Sequence, residues 1–153
     1  MAILLLEDAD VGKVVPISGA LDYLVYGTDA VDTFEIAAGT KARIFGQSGV
    51  DVLHFLGDAS AYTVRLNGTS AVFTHTASSA AVTVPISSGG DSLKFGTGTA
   101  VTLKSSGGVV TLGAQSVTTT DAAVTLTGGG ASPATPITLS SQAAAFASVD
   151  NDV

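Results

Sequence analysis

Residues 42–56 run Ala42-Arg-Ile-Phe-Gly-Gln-Ser-Gly-Val-Asp-Val-Leu-His-Phe-Leu56. Two short apolar segments, Ala42–Phe45 and Asp51–Leu56, flank a turn that contains Gly46 and Gly49. Short apolar segments bounded by glycine and small polar residues are typical of β-strands and the turns between them. This stretch therefore predicts a strand, a turn and a second strand.

The same rhythm continues on both sides of this stretch, with one strand and its turn in roughly 8–12 residues, as in sandwiches, barrels and solenoids. No part of the region shows the helical period. We therefore predict an all-β fold, either a β-sandwich or a β-solenoid of many short strands, with terminal arm segments. The further candidate strands are Tyr23–Tyr26, Thr33–Ile36, Tyr62–Leu66, Ala71–Thr76, Ala81–Ile86, Ser92–Phe95, Ala100–Lys104, Val109–Leu112 and Ala123–Thr127.

One pair of these segments is predicted to form a hairpin. Asn67-Gly68 stands between Tyr62–Leu66 and Ala71–Thr76. Asn-Gly supplies the positive φ angles that a type I′ turn requires, so we expect these two residues to be the central residues of the turn.

The composition suggests three parts: an N-terminal strand or arm (1–20), an all-β core (21–127), and a flexible linker with a C-terminal segment (128–153). Pro16 suits an edge position in the first part. The strand predicted at Ile3–Leu6 has two open alternatives, pairing within its own sheet or pairing with a neighbouring subunit. In the last part, Ile137–Leu139 is a second candidate joint, and the Ala-rich stretch after Ser141 is a candidate short helix.

Composition also limits the function. Thirteen acidic and six basic residues give a net charge of −7, which argues against nucleic acid as a partner. There is no Cys, so disulfides and zinc thiolates are excluded. The N-terminal apolar run is too short to span a membrane and lacks the basic residues of a signal peptide.

Charged residues are 12% of the chain, against the usual share of roughly 25%. A weakly charged, hydroxyl-rich surface of this kind is typical of extracellular or virion proteins and favours self-association.

Glycine and aspartate recur together in the turns. Gly27 and Gly46 are each followed five positions later by an aspartate, Asp32 or Asp51, and Gly89-Gly90-Asp91 repeats part of the pattern. One interpretation is a calcium site with Asp29, Asp32, Asp51 and Asp91 as ligands, since carboxylate oxygens suit this ion. The alternative is a Gly-Asp turn that leads into a strand and needs no ion.

The pattern resembles the calcium-binding nonapeptide of RTX-type bacterial proteins, G-G-x-G-x-D-x-U-x, in which U is a large apolar residue. No copy has the full glycine set, and Asp32, Asp51 and Asp91 are separated by 19 and 40 residues instead of nine. The resemblance implies a secreted protein of the bacterial surface or biofilm matrix, exported by a type I system that uses an uncleaved C-terminal signal. The segment 128–153 would be that signal, and calcium would be the cofactor.

No catalytic constellation is apparent. His54 and His75 are expected on the solvated faces of strands, and no Gly-x-Ser-x-Gly motif is present. We therefore predict that the protein is not an enzyme. The favoured function is an extracellular structural protein that assembles with copies of itself into a filament, surface layer or biofilm matrix. Alternatives are an adhesin module that binds a carbohydrate or a surface glycan, and a virion or tail decoration protein.

Overall fold

A computed structural model of the protein describes residues 1–126, and the prediction of an all-β fold is confirmed. The chain forms two seven-stranded mixed sheets, with only two single-turn 3₁₀ helices, Asp8–Asp10 and Ala59–Ala61. Sheet A has the strand order β1 (Ala2–Leu5), β3 (Asp22–Tyr26), β5 (Lys41–Phe45), β9 (Ala81–Pro85), β8 (Ser70–His75), β7 (Tyr62–Asn67) and β14 (Ala122–Ala123). Sheet B has the order β13 (Gln115–Val117), β12 (Val109–Leu112), β11 (Val101–Ser106), β10 (Asp91–Phe95), β6 (Val52–Phe55), β4 (Thr33–Ile36) and β2 (Val14–Ile17).

The first part of the chain is a β-solenoid. It alternates between the two sheets, so that β1 and β2, β3 and β4, β5 and β6, and finally β9 and β10 each form one coil. Strands of successive coils pair in parallel, for example Phe34 beside Leu53 and Leu53 beside Leu93. Equivalent residues of successive coils therefore lie next to each other in the sheet.

Antiparallel strands interrupt and then complete the solenoid. The hairpin of β7 and β8 is inserted between the third and fourth coils and joins sheet A on the far side of β9. After β10 the chain forms an antiparallel meander of β11, β12 and β13, and β14 then returns to pair with β7. We call the four coils the parallel region and β7, β8 and β11–β14 the antiparallel region.

One hydrophobic core lies between the two sheets and joins both regions. Its centre is a cluster of buried rings, in which Phe55 and Phe95 come from the parallel region and Tyr62 and Phe73 from the antiparallel region. The rings of Phe55 and Phe95 stack with centroids 4.8 Å apart, and the ring of Phe73 lies 5.2 Å from that of Phe55. Each large side chain buried in this way stabilises the fold by about 1.5–3 kcal/mol relative to exposure.

The structure resolves one alternative and corrects one detail of the sequence analysis. Of the two alternatives for the first strand, the structure shows pairing within its own sheet, because β1 lies parallel to β3.

The hairpin is present, but its turn is displaced by one residue from the prediction. Asn67 pairs with Ser70, so the central residues are Gly68 and Thr69, and only Gly68 has a positive φ, +61°. Glycine at the first central position is the pattern of a type II′ turn, and the predicted type I′ turn is wrong.

Other differences concern strand bounds. Gln115–Val117 forms β13 although no strand is predicted there. Of the strand predicted at Ala123–Thr127, only Ala123 is in a strand, the two-residue β14, and Thr127 lies outside the described residues. The predicted linker and C-terminal segment (128–153), including Ile137–Leu139, the helix after Ser141 and the secretion signal, lie outside the described residues.

Candidate functional site

The three aspartates at equivalent positions of successive coils form a ladder. Asp51 Oδ1 accepts the backbone N–H of Asp32 (3.0 Å), and Asp91 Oδ1 accepts the backbone N–H of Asp51 (3.1 Å). All three residues are buried, with at most 7% of their surface exposed. The partners are 19 and 40 residues apart, which is the spacing seen in the sequence, and the longer interval contains the inserted hairpin. We call Asp32, Asp51 and Asp91 the aspartate ladder.

The first carboxylate of the ladder closes its own turn. Asp32 Oδ2 accepts the backbone N–H of Thr28 (2.6 Å), and Asp32 Oδ1 accepts the Thr28 hydroxyl (3.1 Å). Buried backbone N–H groups must find acceptors, and the carboxylates supply them where the chain passes from sheet A to sheet B.

The glycine five positions before two of these aspartates has a steric cause. A Cβ atom at Gly27 would collide with Asp32 Oδ2, and one at Gly46 would collide with Asp51 Oδ2. Neither glycine has a positive φ, so close approach of the carboxylate is what requires glycine here. In the fourth coil the equivalent position, five residues before Asp91, is Ile86.

Two carboxyl groups of the ladder, those of Asp51 and Asp91, have raised pKa values. Burial raises the pKa of Asp51 to about 6, the hydrogen bond from Asp32 acts against this rise, and the charges of Asp91 and Asp32 add to it. Burial also raises the pKa of Asp91, against the lowering effect of the hydrogen bond from Asp51. Stacking carboxylates in successive coils therefore places negative charges close together in a partly desolvated position.

A cavity of about 660 Å³ lies beside the second and third members of the ladder. Of the four predicted calcium ligands, Asp29, Asp51 and Asp91 line this cavity, whereas Asp32 lies in the preceding turn. Asp29 is exposed, and its Oδ1 accepts the hydroxyl of Ser48 (3.1 Å). Within residues 1–126, no three His, Cys, Asp or Glu side chains are grouped so that they could hold a metal ion. The observed partners of the ladder are backbone N–H groups and the hydroxyl of Thr28, and calcium binding stays a prediction.

The two histidines lie apart from this cavity. His54 Nε2 lies 2.9 Å from the carbonyl oxygen of Gly96, and His75 Nδ1 lies 2.8 Å from the hydroxyl of Ser78. Both side chains are half-buried, and His54 alternates with buried Leu53 and Phe55, as expected on the outer face of its strand. His75 lies on the same strand face as buried Ala71 and Phe73, with its ring 5.3 Å from that of Tyr62, so the predicted solvated position is wrong for His75. Their contacts connect strands and turns to each other.

A second candidate site is the outer edge of the first coil, where β1 and β2 are the terminal strands of their sheets within residues 1–126. The N–H of Leu6 donates to Tyr26 in β3, so the backbone groups of Ile3 and Leu5 point the other way, towards the edge. Ile3 and Leu5 are 70% and 65% exposed. The edge of β1 therefore presents backbone N–H and C=O groups beside apolar side chains, with no charge or proline in the strand.

The edge of β2 differs. Its Ile17 carbonyl accepts the N–H of Ala37 and so faces β4, which turns Val14 and Pro16 towards the outer edge. Pro16 has no N–H, so this edge is blocked as a template for strand pairing. The sequence suggested an edge position for Pro16, but the contrast between the two edges emerges only from the hydrogen bonds.

Among residues 1–126, no helix combines the length and apolar character needed to cross a membrane. Comparison with known protein families, with curated proteins and with solved structures found no match to this chain.

Proposed function

We propose that this protein is a structural protein that assembles with copies of itself, and that a strand of a second copy adds to the outer edge of β1. The observation that carries the proposal is the edge of β1, which no strand of residues 1–126 covers, with Ile3 and Leu5 exposed beside their outward-facing backbone groups. An edge of this kind is a template for pairing with another chain unless charge, proline, a bulge or a cover protects it. Repetition of the contact, with a second contact elsewhere, builds a filament, a surface layer or a matrix.

The opposite end of the described structure supports the choice of β1. There the sheets end in β14 and β13, which have two and three residues, and short edge strands are poor templates for pairing. Of the terminal strands, β1 is longer than either and, unlike β2, contains no proline. Low charge over the whole chain, 12% of residues, gives little electrostatic protection against association.

The experiment removes one of the two outward N–H groups of β1 and leaves the bonds of β1 to β3 intact. In Ile3→Pro the lost N–H faces the edge, so the variant keeps the fold but cannot complete a new strand pair. The matched control is Val14→Pro, which removes an outward N–H from the edge that Pro16 already blocks. Sedimentation velocity over a range of concentrations measures assembly, and circular dichroism checks the fold.

We expect oligomers or larger particles for the wild type and for Val14→Pro, and a monomer for Ile3→Pro. Assembly of Ile3→Pro to the same size as the wild type would exclude β1 as the joint. A wild-type chain that stays monomeric at every concentration would exclude self-assembly itself.

Calcium support and a secreted, extracellular location are the parts of this proposal that rest on the sequence resemblance. Sedimentation of the wild type with calcium and with EDTA tests the first of these. Loss of the particles in EDTA, and their return with calcium, would support a role of the ion. Particles that are unchanged in EDTA would remove calcium from the proposal and leave the β1 contact standing.

A further inference from the structure

The cavity beside the aspartate ladder arises where two strands of adjacent coils separate. β5 and β9 pair at Ala42–Val82 and Arg43–Thr83, and the pairing stops there, although both strands continue for two more residues. Pro85 has no N–H to donate to a neighbouring strand, and the N–H of Ile86 donates to the carbonyl of Thr69 in the hairpin turn. The fourth coil is thereby drawn away from the third at this end, which opens the space between them.

The cavity has apolar and aromatic walls. The core residues Ile44, Leu53 and Val84 line its inner part, and the rings of Tyr26 and Phe45 stand on the sheet A side, stacked with centroids 5.4 Å apart. The ring of Phe45 is partly exposed. Such walls suit a small apolar stem or a planar group. Aromatic faces also attract cations.

The charged side chains that line the cavity are all carboxylates. Asp29, Asp51 and Asp91 line it, and none of its lining residues is Lys or Arg. Of its four side-chain donors, the hydroxyls of Tyr26, Ser48 and Ser87 and the amide of Gln47, two are already engaged: the amide of Gln47 donates to the carbonyl of Gly27 (2.7 Å), and the hydroxyl of Ser48 donates to Asp29. An ionised carboxylate has about four acceptor positions, so acceptor capacity exceeds donor capacity here.

We propose that this cavity binds an organic cation, an ammonium or guanidinium group on a short apolar stem, of the kind found in lysine and arginine side chains. Such a group brings several donors and no acceptor, which complements the carboxylates, and its stem matches the apolar walls. A guanidinium also stacks on aromatic rings and pairs with carboxylates through two hydrogen bonds. The ligand is either a free amine or guanidine, or a basic side chain of another polypeptide.

The electrostatics of the ladder agree with this ligand. Asp51 and Asp91 are both buried and repel each other, which raises the pKa of Asp51 to about 6. A bound cation would offset this repulsion and hold both groups ionised. Binding is therefore expected to weaken as the pH falls from about 7 to about 5, because protonation of Asp51 removes one of the attracting charges.

The test is isothermal titration calorimetry of the full chain with n-butylguanidinium chloride, compared with n-butylurea, which has a similar shape but no charge. We expect saturable binding of the cation, no saturation by the urea, and about tenfold weaker binding in Asp91→Asn, since a hydrogen bond to a charged group is worth about that factor. Asn keeps an Oδ1 acceptor for the N–H of Asp51, so the ladder is retained. Asp29→Asn changes an exposed residue and is the second variant, and Asp121→Asn is the matched control on the surface of the antiparallel region.

Three further probes separate the alternatives. The peptide acetyl-Gly-Arg-Gly-amide distinguishes the sources: binding of the peptide as tight as that of n-butylguanidinium supports a polypeptide ligand, and binding of the free cation alone supports a small one. Equal binding of n-butylurea would overturn the proposal in favour of an apolar site. Saturation by methyl α-glucoside or by calcium chloride, with none by n-butylguanidinium, would overturn it in favour of a carbohydrate or a metal site. Unchanged affinity in both Asp29→Asn and Asp91→Asn would place the bound cation elsewhere.

Discussion

The parallel and antiparallel regions differ in how they accommodate the backbone polar groups of their tight turns. In the parallel region some of the acceptors come from other coils, since the N–H of Asp32 and that of Asp51 bond to carboxylates 19 and 40 residues away, while glycines with positive φ, such as Gly39 and Gly49, occur in its turns as well. In the antiparallel region the turns are local, and glycines with positive φ, such as Gly68 and Gly107, reverse the chain within a few residues. Repetition of coils thus lets one residue type, aspartate, serve successive turns, at the cost of placing like charges together.

The comparison also shows where the two regions depend on each other. The hairpin of β7 and β8 interrupts the solenoid, yet its Phe73 and Tyr62 pack on Phe55 and Phe95 of the coils. The same hairpin accepts the N–H of Ile86 at its turn and so contributes to the cavity. The antiparallel region therefore supports both the core and the candidate ligand site of the parallel region.

The largest expected effect tests this dependence. Phe55 is fully buried in the ring cluster, and Phe55→Ala should lower the free energy of unfolding by about 3–5 kcal/mol through lost contacts and a cavity. Guanidinium denaturation followed by far-ultraviolet circular dichroism measures it, and we expect one transition because the rings join both regions. Phe45→Ala, at a ring 38% exposed, should lose less than half as much. Two separate transitions in Phe55→Ala would show that the regions fold independently.

The next largest expected effect is a dependence of stability on pH, and it arises from residues of the parallel region. In the folded chain the pKa of Asp51 is about 6 against an ordinary 3.8, so between these values the folded state binds more protons than the unfolded state. The contribution of Asp51 to stability therefore falls as pH rises through this window, by at most about 3 kcal/mol, since one pKa unit corresponds to about 1.4 kcal/mol. Asp91, whose pKa is also raised, acts with the same sign.

Urea denaturation of the wild type and of Asp51→Asn at pH 4, 5, 6 and 7 measures this contribution as a difference, which cancels the carboxyl groups outside the ladder. Asp51→Asn should have a flatter pH profile between pH 4 and pH 6. Asp121→Asn, in the exposed ion pair with Arg65, should keep the wild-type slope. Parallel profiles for the wild type and Asp51→Asn would contradict the buried, charge-coupled ladder.

The local pattern of the sequence predicts the strands well, because each is a short apolar segment bounded by turn residues. Thr33–Ile36 and Val109–Leu112 are found with the predicted bounds. The partners of each strand could not be predicted, because alternation within a strand does not specify what lies beside it. Gln115–Val117 was missed because two of its three residues are polar and its pairing depends on β12.

The candidate sites, too, could be predicted only in part. The repeated Gly-Asp pattern identifies the residues of the ladder, but a carboxylate that accepts backbone N–H groups and one that binds an ion have the same residue type and similar turn sequences. The cavity depends on Pro85 and Ile86, which stand 40 residues after Phe45 and Gly46. Pro85 and Ile86 occupy in the fourth coil the positions that Phe45 and Gly46 occupy in the third. This equivalence can be recognised only once the inserted hairpin is known, since the hairpin lengthens the interval between the two coils.

The smallest expected effect separates the two kinds of glycine. Gly46→Ala places a methyl group against the carboxylate of Asp51 and should lower the free energy of unfolding by about 1–3 kcal/mol, as overpacking does. Gly68→Ala meets no atom within 4 Å and should lose about 1 kcal/mol, from its positive φ alone.

The size of the loss in unfolding free energy does not distinguish a steric collision from an unfavourable φ. Energetic coupling between the glycine substitution and a substitution at Asp51 does distinguish them. Combined with Asp51→Ala, which removes the colliding oxygen, Gly46→Ala should lose less than the sum of the two single changes, whereas Gly68→Ala should be additive. Thermal or urea denaturation of the two double-mutant cycles gives both coupling energies. Additivity at Gly46 would mean that its glycine serves the backbone conformation, as Gly68 does, and that the Gly-Asp spacing of the coils has another cause. Coupling at Gly46 alone would establish that the carboxylate selects the glycine five residues before it, which is the physical link between the sequence pattern and the stacked coils.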